Sequence, residues 1–240
     1  MQATEFEFRY RIWVIGGLFS LAFSFYWLDH QNAAIALLAA LSGHGIKLES
    51  SPARWQLHLI FGIADIVVIL AALLRTWGTA YLRSNVVHDP AMHSRELMAD
   101  GPFRHVRNPL YLGTLILAIG LGMLASRLGW LVAVAGMWLF LYRLIWREEQ
   151  EMRRQQGGQF DAYCAKVPRL LISLRPRIPP GNGIPHWKQA LLGESFCWAF
   201  ALGAGVFAVT LNVVYAYCTF VIGFLGGIVL RQLSHRLGRD

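Results

Sequence analysis

The sequence predicts an all-α chain, a polytopic transmembrane helical bundle of six or seven membrane segments with a C-terminal helical extension. Three observations carry this. Of 240 residues, 55% are hydrophobic and 15% charged, where ordinary globular domains carry about 25% charged residues. The mean hydropathy is +0.42. The charge is also segregated, with basic stretches alternating with apolar runs near the roughly 17–25 residues that cross a bilayer core. The net charge of +8 follows the positive-inside pattern, and no nucleic-acid recognition motif accompanies it. The three cysteines, Cys164, Cys197 and Cys218, form no CxxC pair. They read as small hydrophobes, not as disulfide or metal ligands.

The elements follow in order. Residues 12–28 form an apolar run preceded by Arg9 and Arg11 and closed by Asp29 and His30. It lacks a small-residue cleavage site and reads as a retained membrane helix. The alanine-rich run 32–46 is marginal. If it crosses, there are seven helices with the N-terminus outside; if it is interfacial or re-entrant, there are six with the N-terminus inside, which Arg9 and Arg11 favour. The third run, 55–74, carries His58 and Asp65. Ionisable residues inside an apolar run default to a functional role, weighed here against pairing with a neighbouring helix.

A polar stretch, 75–108, holds Arg75, Arg83, Arg95, Arg104 and Arg107 with His88, His93 and His105. Runs 109–125 and 128–146 lie so close in sequence that they form a helical hairpin. Region 147–188 has eight Lys or Arg against four acidic residues. The run 189–230 suffices for two spans, interrupted near Glu194 and Asn212, and the tail 231–240 is basic. The positive-inside rule puts 75–108, 147–188 and the tail in the cytoplasm, and Trp55, Trp77, Trp130, Trp146 and Trp187 near segment ends form an aromatic belt. Three blocks result: membrane helices over 1–85, a core over 86–176, and a membrane hairpin with a basic tail over 177–240.

The core carries the chemistry. Residues 101–113 read Gly-Pro-Phe-Arg-His-Val-Arg-Asn-Pro-Leu-Tyr-Leu-Gly. A residue before proline is pushed out of the helical region, and proline suits the first helical turn, so a helix starts at Pro109. The free N–H groups of that turn favour an anionic group, and Arg104 and Arg107 reinforce them. The second hairpin helix continues past Trp146 into Arg147, Glu148, Glu149 and Glu151. A short hairpin returns its two cytoplasmic ends to one place, so arginines and carboxylates face a common volume. That volume suits a ligand with both a cation and a carboxylate. Taken singly, these arginines are positive-inside anchors and these glutamates a solvated helix end; together they read as a site. His88 and His93 lack a completing carboxylate or cysteine, so no metal is expected there.

Residues 101–113 resemble the Arg-(His/Asn)-Pro-x-Tyr motif of the isoprenylcysteine carboxyl methyltransferase and phospholipid methyltransferase superfamily. The run Glu148-Glu149, Gly157, Phe160-Asp161-Ala162-Tyr163, Val167-Pro168-Arg169 is similar to the family's second block, in which a Glu-Glu pair precedes a Phe-Gly-x-x-Tyr-x-x-Tyr-x-x-x-Val-Pro pattern. Gln156 replaces the phenylalanine before Gly157, and Phe160 the first tyrosine. The likeness covers 86–176. It implies S-adenosylmethionine as cofactor, bound in a cytoplasmic pocket closed by loops. The contacts it implies are Arg95, Glu96, Leu97 and Met98; Phe103, Arg107, Asn108, Pro109 and Tyr111; and Glu148 and Glu149, with His88 near a further one. Carboxylates suit the cofactor's cations, the helix start and arginines its carboxylate, and Phe103 or Tyr111 its adenine. Arg143 and Arg104 are assigned to the reacting side, with Arg147 second choice for the arginine that places the substrate.

The expected function is methyl transfer to a lipophilic small-molecule or lipid-linked acceptor at the inner or plasma membrane, with the cofactor arriving from the cytoplasm. An isoprenylcysteine-like carboxylate is favoured; a phospholipid amine and a small thiol are the alternatives. A non-catalytic transporter or assembly protein of the same fold is the alternative from another class. A nicotinamide-dependent reductase lacks its Gly-rich fingerprint here.

Overall fold

The structure is a computed structural model and describes residues 2–41, 54–82 and 100–237, the side chains of residues 235 and 237 excepted. The described residues fold into helices without a β-strand. In chain order these are α1 (Glu5–Arg9), α2 (Arg11–Ser24), extended by a 3-10 turn over Phe25–Trp27, α3 (Ala33–Leu41), α4 (Arg54–Tyr81) and a 3-10 turn over Gly101–Arg104. Then come α5 (Pro109–Gly122), α6 (Arg127–Gln156), α7 (Gly158–Lys166), α8 (Trp187–Gly193), α9 (Ser195–Thr210) and α10 (Val213–Leu237).

By length and composition, three described helices can cross a membrane: Arg54–Tyr81, Arg127–Gln156 and Val213–Ser234. A fourth candidate is the pair α8 and α9, bent by 62° at its break. Arg11–Trp27 and Pro109–Gly122 are shorter apolar helices, and the described part of the alanine-rich run, α3, has 9 residues. The expected hairpin is present as α5 and α6, the latter running unbroken through Trp146 to Gln156. The interruption foreseen near Asn212 is the turn between α9 and α10. Leu211 takes a left-handed conformation there (φ 53°), and Asn212 Oδ1 accepts from the Val214 and Tyr215 amides at 2.9 and 3.3 Å, capping α10.

Helices in lipid associate through small residues that let backbones approach, because lipid tails are as apolar as leucine. This governs α4 against α5. A Cβ at Gly120 would sit 2.8 Å from Val68 Cγ2 and 3.0 Å from the Ala64 carbonyl, and one at Gly113 would overlap the Arg75 side chain. Val68, Ala71 and Ala72 of α4, Leu117 and Leu121 of α5, and Cys197 and Ala201 of α9 form one buried cluster. A second joins Ala3 and Phe8 to Leu115, Met137, Phe140, Leu141 and Leu144, so the N-terminal segment packs on α5 and α6.

The polar stretch expected to begin at Arg75 does not begin there. The helix runs on to Tyr81, and Arg75 is buried inside it. Its guanidinium meets Glu194, at the α8–α9 break, with Nε to Oε2 at 2.7 Å and Nη2 to Oε1 at 3.1 Å. It also donates to Thr114 Oγ1 at 2.6 Å and to the Leu110 carbonyl at 3.2 Å. Thr79 donates to Glu194 at 2.7 Å. A buried charge persists when it is paired and hydrogen-bonded, which is why this largely apolar helix accepts an arginine. Asp65 of α4 abuts Gly205 of α9, and its Oδ1 is buried with no hydrogen-bond partner among the described residues.

The far end of the hairpin is latched. Asn32 Nδ2 donates to Tyr26 Oη at 2.9 Å and to the Met123 and Leu124 carbonyls at 3.2 Å, while its Oδ1 caps α3 through the Ala34 amide at 2.9 Å. Asp29 accepts from Arg127 Nη2 at 3.1 Å and from the Leu128 amide at 3.0 Å. The Arg127 hydrogen bonds first, then the Leu128 amide, hold the Asp29 carboxyl down at about 2.

Candidate functional site

The site is assembled at the start of α5. Gly101 opens the loop before it with φ +55°, a conformation natural to glycine, and a Cβ there would collide with the Tyr81 ring. Phe103 is buried, and its carbonyl accepts from Tyr163 Oη of α7 at 2.8 Å. Burial pushes the Tyr163 phenol above its usual range, so it stays a donor there. The helix begins at Pro109 with Asn108 preceding it, as expected. Asn108 Nδ2 does not cap the helix but donates to the Arg169 carbonyl at 3.2 Å, and the Arg107 amide donates to the Pro168 carbonyl at 2.8 Å. These bonds bring the Val167–Pro168–Arg169 block against the loop before α5.

The carboxylates of α6 face this junction. Tyr111 Oη donates to Glu148 Oε1 at 2.5 Å, joining α5 to α6. Glu149 is 3% exposed and receives a two-pronged contact from Arg169, Nε to Oε1 at 3.0 Å and Nη2 to Oε2 at 2.7 Å. Arg107 Nη1 lies 3.5 Å from Glu149 Oε1, and its Nε is buried with no hydrogen-bond partner among the described residues. Arg169 also donates to Tyr142 Oη at 2.7 Å, and its hydrogen bonds with Glu149 raise its pKa above the usual arginine value.

The structure therefore gathers Phe103, Arg107, Asn108, Pro109, Tyr111, Glu148 and Glu149. Arg104 turns away from them, its Nε donating to the Ile178 carbonyl at 2.9 Å. Arg143 faces the N-terminal segment, with Nη2 2.8 Å from Glu7 Oε2 and 3.3 Å from the Gln2 carbonyl. Arg147 donates to the Ala3 carbonyl at 3.1 Å and lies over the Phe8 ring. Arg95, Glu96, Leu97, Met98, His88 and His93 lie outside the described residues. His105 sits between the Trp77 ring, 5.7 Å away, and the Ser173 carbonyl at 2.7 Å.

Two participants escaped the sequence. Arg169 stood in the quoted Val-Pro-Arg string without a role; its position directly after that block was the available signal. Tyr142 lies one helical turn before Trp146 and passed as part of an apolar run. Among the described residues no group of three His, Cys, Asp or Glu side chains converges as a metal site would require.

Residues 58–158 match the family described as phospholipid methyltransferase. That stretch takes in α4 from His58, the loop before α5, and the whole α5–α6 hairpin with Tyr111, Glu148 and Glu149, so the superfamily resemblance seen in the motifs holds. The chain is 22% identical over 141 residues to the nickel-cobalt-cadmium resistance protein NccN of Alcaligenes xylosoxydans xylosoxydans, covering 59% of this chain. It spans 61% of the length of that relative. No solved structure matches the chain.

Proposed function

We propose that the chain is an integral-membrane methyltransferase that uses S-adenosylmethionine and acts on a lipophilic acceptor, an isoprenylcysteine-like carboxylate being favoured. The observation that carries this is the Tyr111–Glu148 contact at the start of α5, within the stretch that matches the methyltransferase family. The residues fit such a cofactor. Glu148 is a carboxylate for its cationic groups. The buried Arg107 Nε and the free amides of the first α5 turn are donors for its carboxylate. When bound, the cofactor supplies an electrophilic methyl group on a sulfonium.

The protein's own part is then placement. Holding two reactants in line at the right distance can account for most of the rate of such a displacement. Tyr111 orients Glu148, while Arg169 and Arg107 neutralise Glu149, so the two neighbouring carboxylates carry different burdens. A carboxylate acceptor is already ionised and needs no general base, whereas an amine or thiol acceptor would have to lose a proton. An open apolar cleft of about 360 Å³ between α5 and α6, lined by Leu115, Ile119, Trp130, Val134 and Trp138, lies toward the latched half of the hairpin, about 15 Å or more along α6 from Glu148. Its Trp138 stacks on Tyr142, which holds Arg169. The basic segments favour a cytoplasmic site by the positive-inside rule.

Titration of S-adenosylmethionine into detergent-purified protein tests the reading. The intact chain binds, and Glu148→Ala and Asn108→Ala each weaken binding by about tenfold or more, or ~1.4 kcal/mol. Absence of binding by the intact chain removes the proposal. Unchanged binding in both variants removes the site. A methyl-transfer screen offering prenylated cysteine, phosphatidylethanolamine and a small thiol then separates the acceptors.

A further inference from the structure

Residues 167–186 form a strap without helix that runs from the end of α7 to the start of α8. It is fastened along one edge. The Ser173 amide donates to the His105 carbonyl at 3.0 Å, the Arg177 amide to the Arg104 carbonyl at 2.8 Å, and Arg104 Nε to the Ile178 carbonyl at 2.9 Å. Asp100 accepts from the Gly181 and Gly183 amides at 2.5 and 2.8 Å. The His186 amide donates to the Ala80 carbonyl at 2.7 Å.

The fastening points set its level. Ala80 is in the last turn of α4, Arg104 to His105 lead into α5, and Trp187 opens α8. Each is the end of an apolar helix, so the strap runs along the plane where these helices leave the apolar layer.

The other edge is unusual for a surface loop. Leu171 is 82% and Leu174 94% exposed, with Ile172 exposed between them. Bonding of the flanking Ser173 and Arg177 backbone keeps these side chains outward. Arg175 and Arg177 follow directly, and no Asp or Glu occurs between Asp161 and Glu194. Arg177 Nε donates to Ser173 Oγ at 2.8 Å, and that hydroxyl donates to the Arg175 carbonyl at 2.8 Å, so the arginines and the apolar residues are held as one unit. Exposed apolar side chains rimmed by cationic ones, at the level of helix ends, match the chemistry of an anionic lipid interface. Acyl chains accept the former and phosphates the latter.

We propose that this strap is a lipid-docking element: Leu171, Ile172 and Leu174 insert into the leaflet beside the helix ends, and Arg175 and Arg177 bind anionic headgroups. The proposal does not depend on methyl transfer. It has a consequence for the site, because Arg169, one residue from the patch's apolar neighbour Leu170, holds both Glu149 and Asn108.

The test places an environment-sensitive nitrobenzoxadiazole label on Leu174→Cys, with Cys164, Cys197 and Cys218 replaced by alanine, in nanodiscs of phosphatidylcholine with or without phosphatidylglycerol. The expected result is blue-shifted emission that doxyl-labelled lipids quench, stronger with phosphatidylglycerol. Arg175→Glu with Arg177→Glu reverses the phosphatidylglycerol effect. Water-like emission in both lipids overturns the proposal and leaves the patch to a protein partner. A blue shift that doxyl lipids do not quench also overturns it, since the label is then buried in protein. Emission indifferent to the two charge reversals overturns the anionic-lipid assignment.

Discussion

Glu148 and Glu149 are adjacent on α6 yet live in different surroundings. Glu149 is buried under Arg169 and Arg107, whereas Glu148 accepts the Tyr111 phenol. Arg169→Gln is expected to lower stability by ~1–3 kcal/mol, because it removes charged hydrogen bonds from a buried carboxylate. A denaturant midpoint shift measures this. Asp29 gives a pH prediction. Its folded pKa of about 2 lies below the roughly 3.9 of an unfolded aspartate. The unfolded state therefore binds the proton first, and the latch contributes stability above about pH 4 that is lost as pH falls through about 2. Melting of the intact chain is expected to fall across that window, and Asp29→Asn to flatten the dependence. An equally steep fall in the variant contradicts the assignment. At this scale the sequence was a partial guide. The motifs holding Asn108, Tyr111 and the Glu pair were legible as compact strings, and the structure brings them to one junction. The orientation of Arg143 was not, since its partner Glu7 lies on an N-terminal segment that no pattern links to α6.

Among elements, α4 and α5 are held by absent side chains at Gly113 and Gly120 and by one arginine. Gly120→Val is expected to cost about 1–3 kcal/mol through overpacking, because the nearest atoms include the Ala64 carbonyl and the Val68 amide, which cannot swing aside. The Arg75–Glu194 pair makes the opposite kind of prediction. Breaking it from one side, as in Glu194→Leu, is expected to cost ~3–5 kcal/mol, and the double change Arg75→Met with Glu194→Leu to recover most of that loss. Thermal melts of the three proteins in one detergent decide it; a double variant no better than the single one rejects the buried pair. The apolar runs were legible as helices because hydropathy is a property of consecutive residues. The end of α4 was not, because what lets Arg75 stay helical and buried is a carboxylate 119 residues away.

At the scale of the whole chain, Glu194 ties the C-terminal helices to the stretch that matches the methyltransferase family. The extension after residue 186 is thus a structural partner of α4, through α8, α9 and their break. Truncation there is expected to abolish monodisperse protein, and Arg75→Met in the truncated chain to restore part of the yield, as size-exclusion profiles would record. An unaffected truncated chain would show the extension to be dispensable. The order of helices along the chain followed from the sequence. How the bent pair α8–α9 packs did not, since its 62° break falls at Glu194, whose partner Arg75 is remote in sequence.

The two hairpin helices differ greatly in length, 14 residues in α5 and 30 in α6. At 1.5 Å per residue they measure about 21 and 45 Å, against an apolar layer of about 30 Å. Starting from a shared turn at the latched end, α6 reaches well past the level at which α5 begins. The difference leaves a polar step at the end of the hairpin opposite the latch, with Pro109 at its base and Glu148 and Glu149 on its riser. A lipophilic acceptor of the kind proposed above would meet such a step from the side, with its tail still among the apolar helix faces.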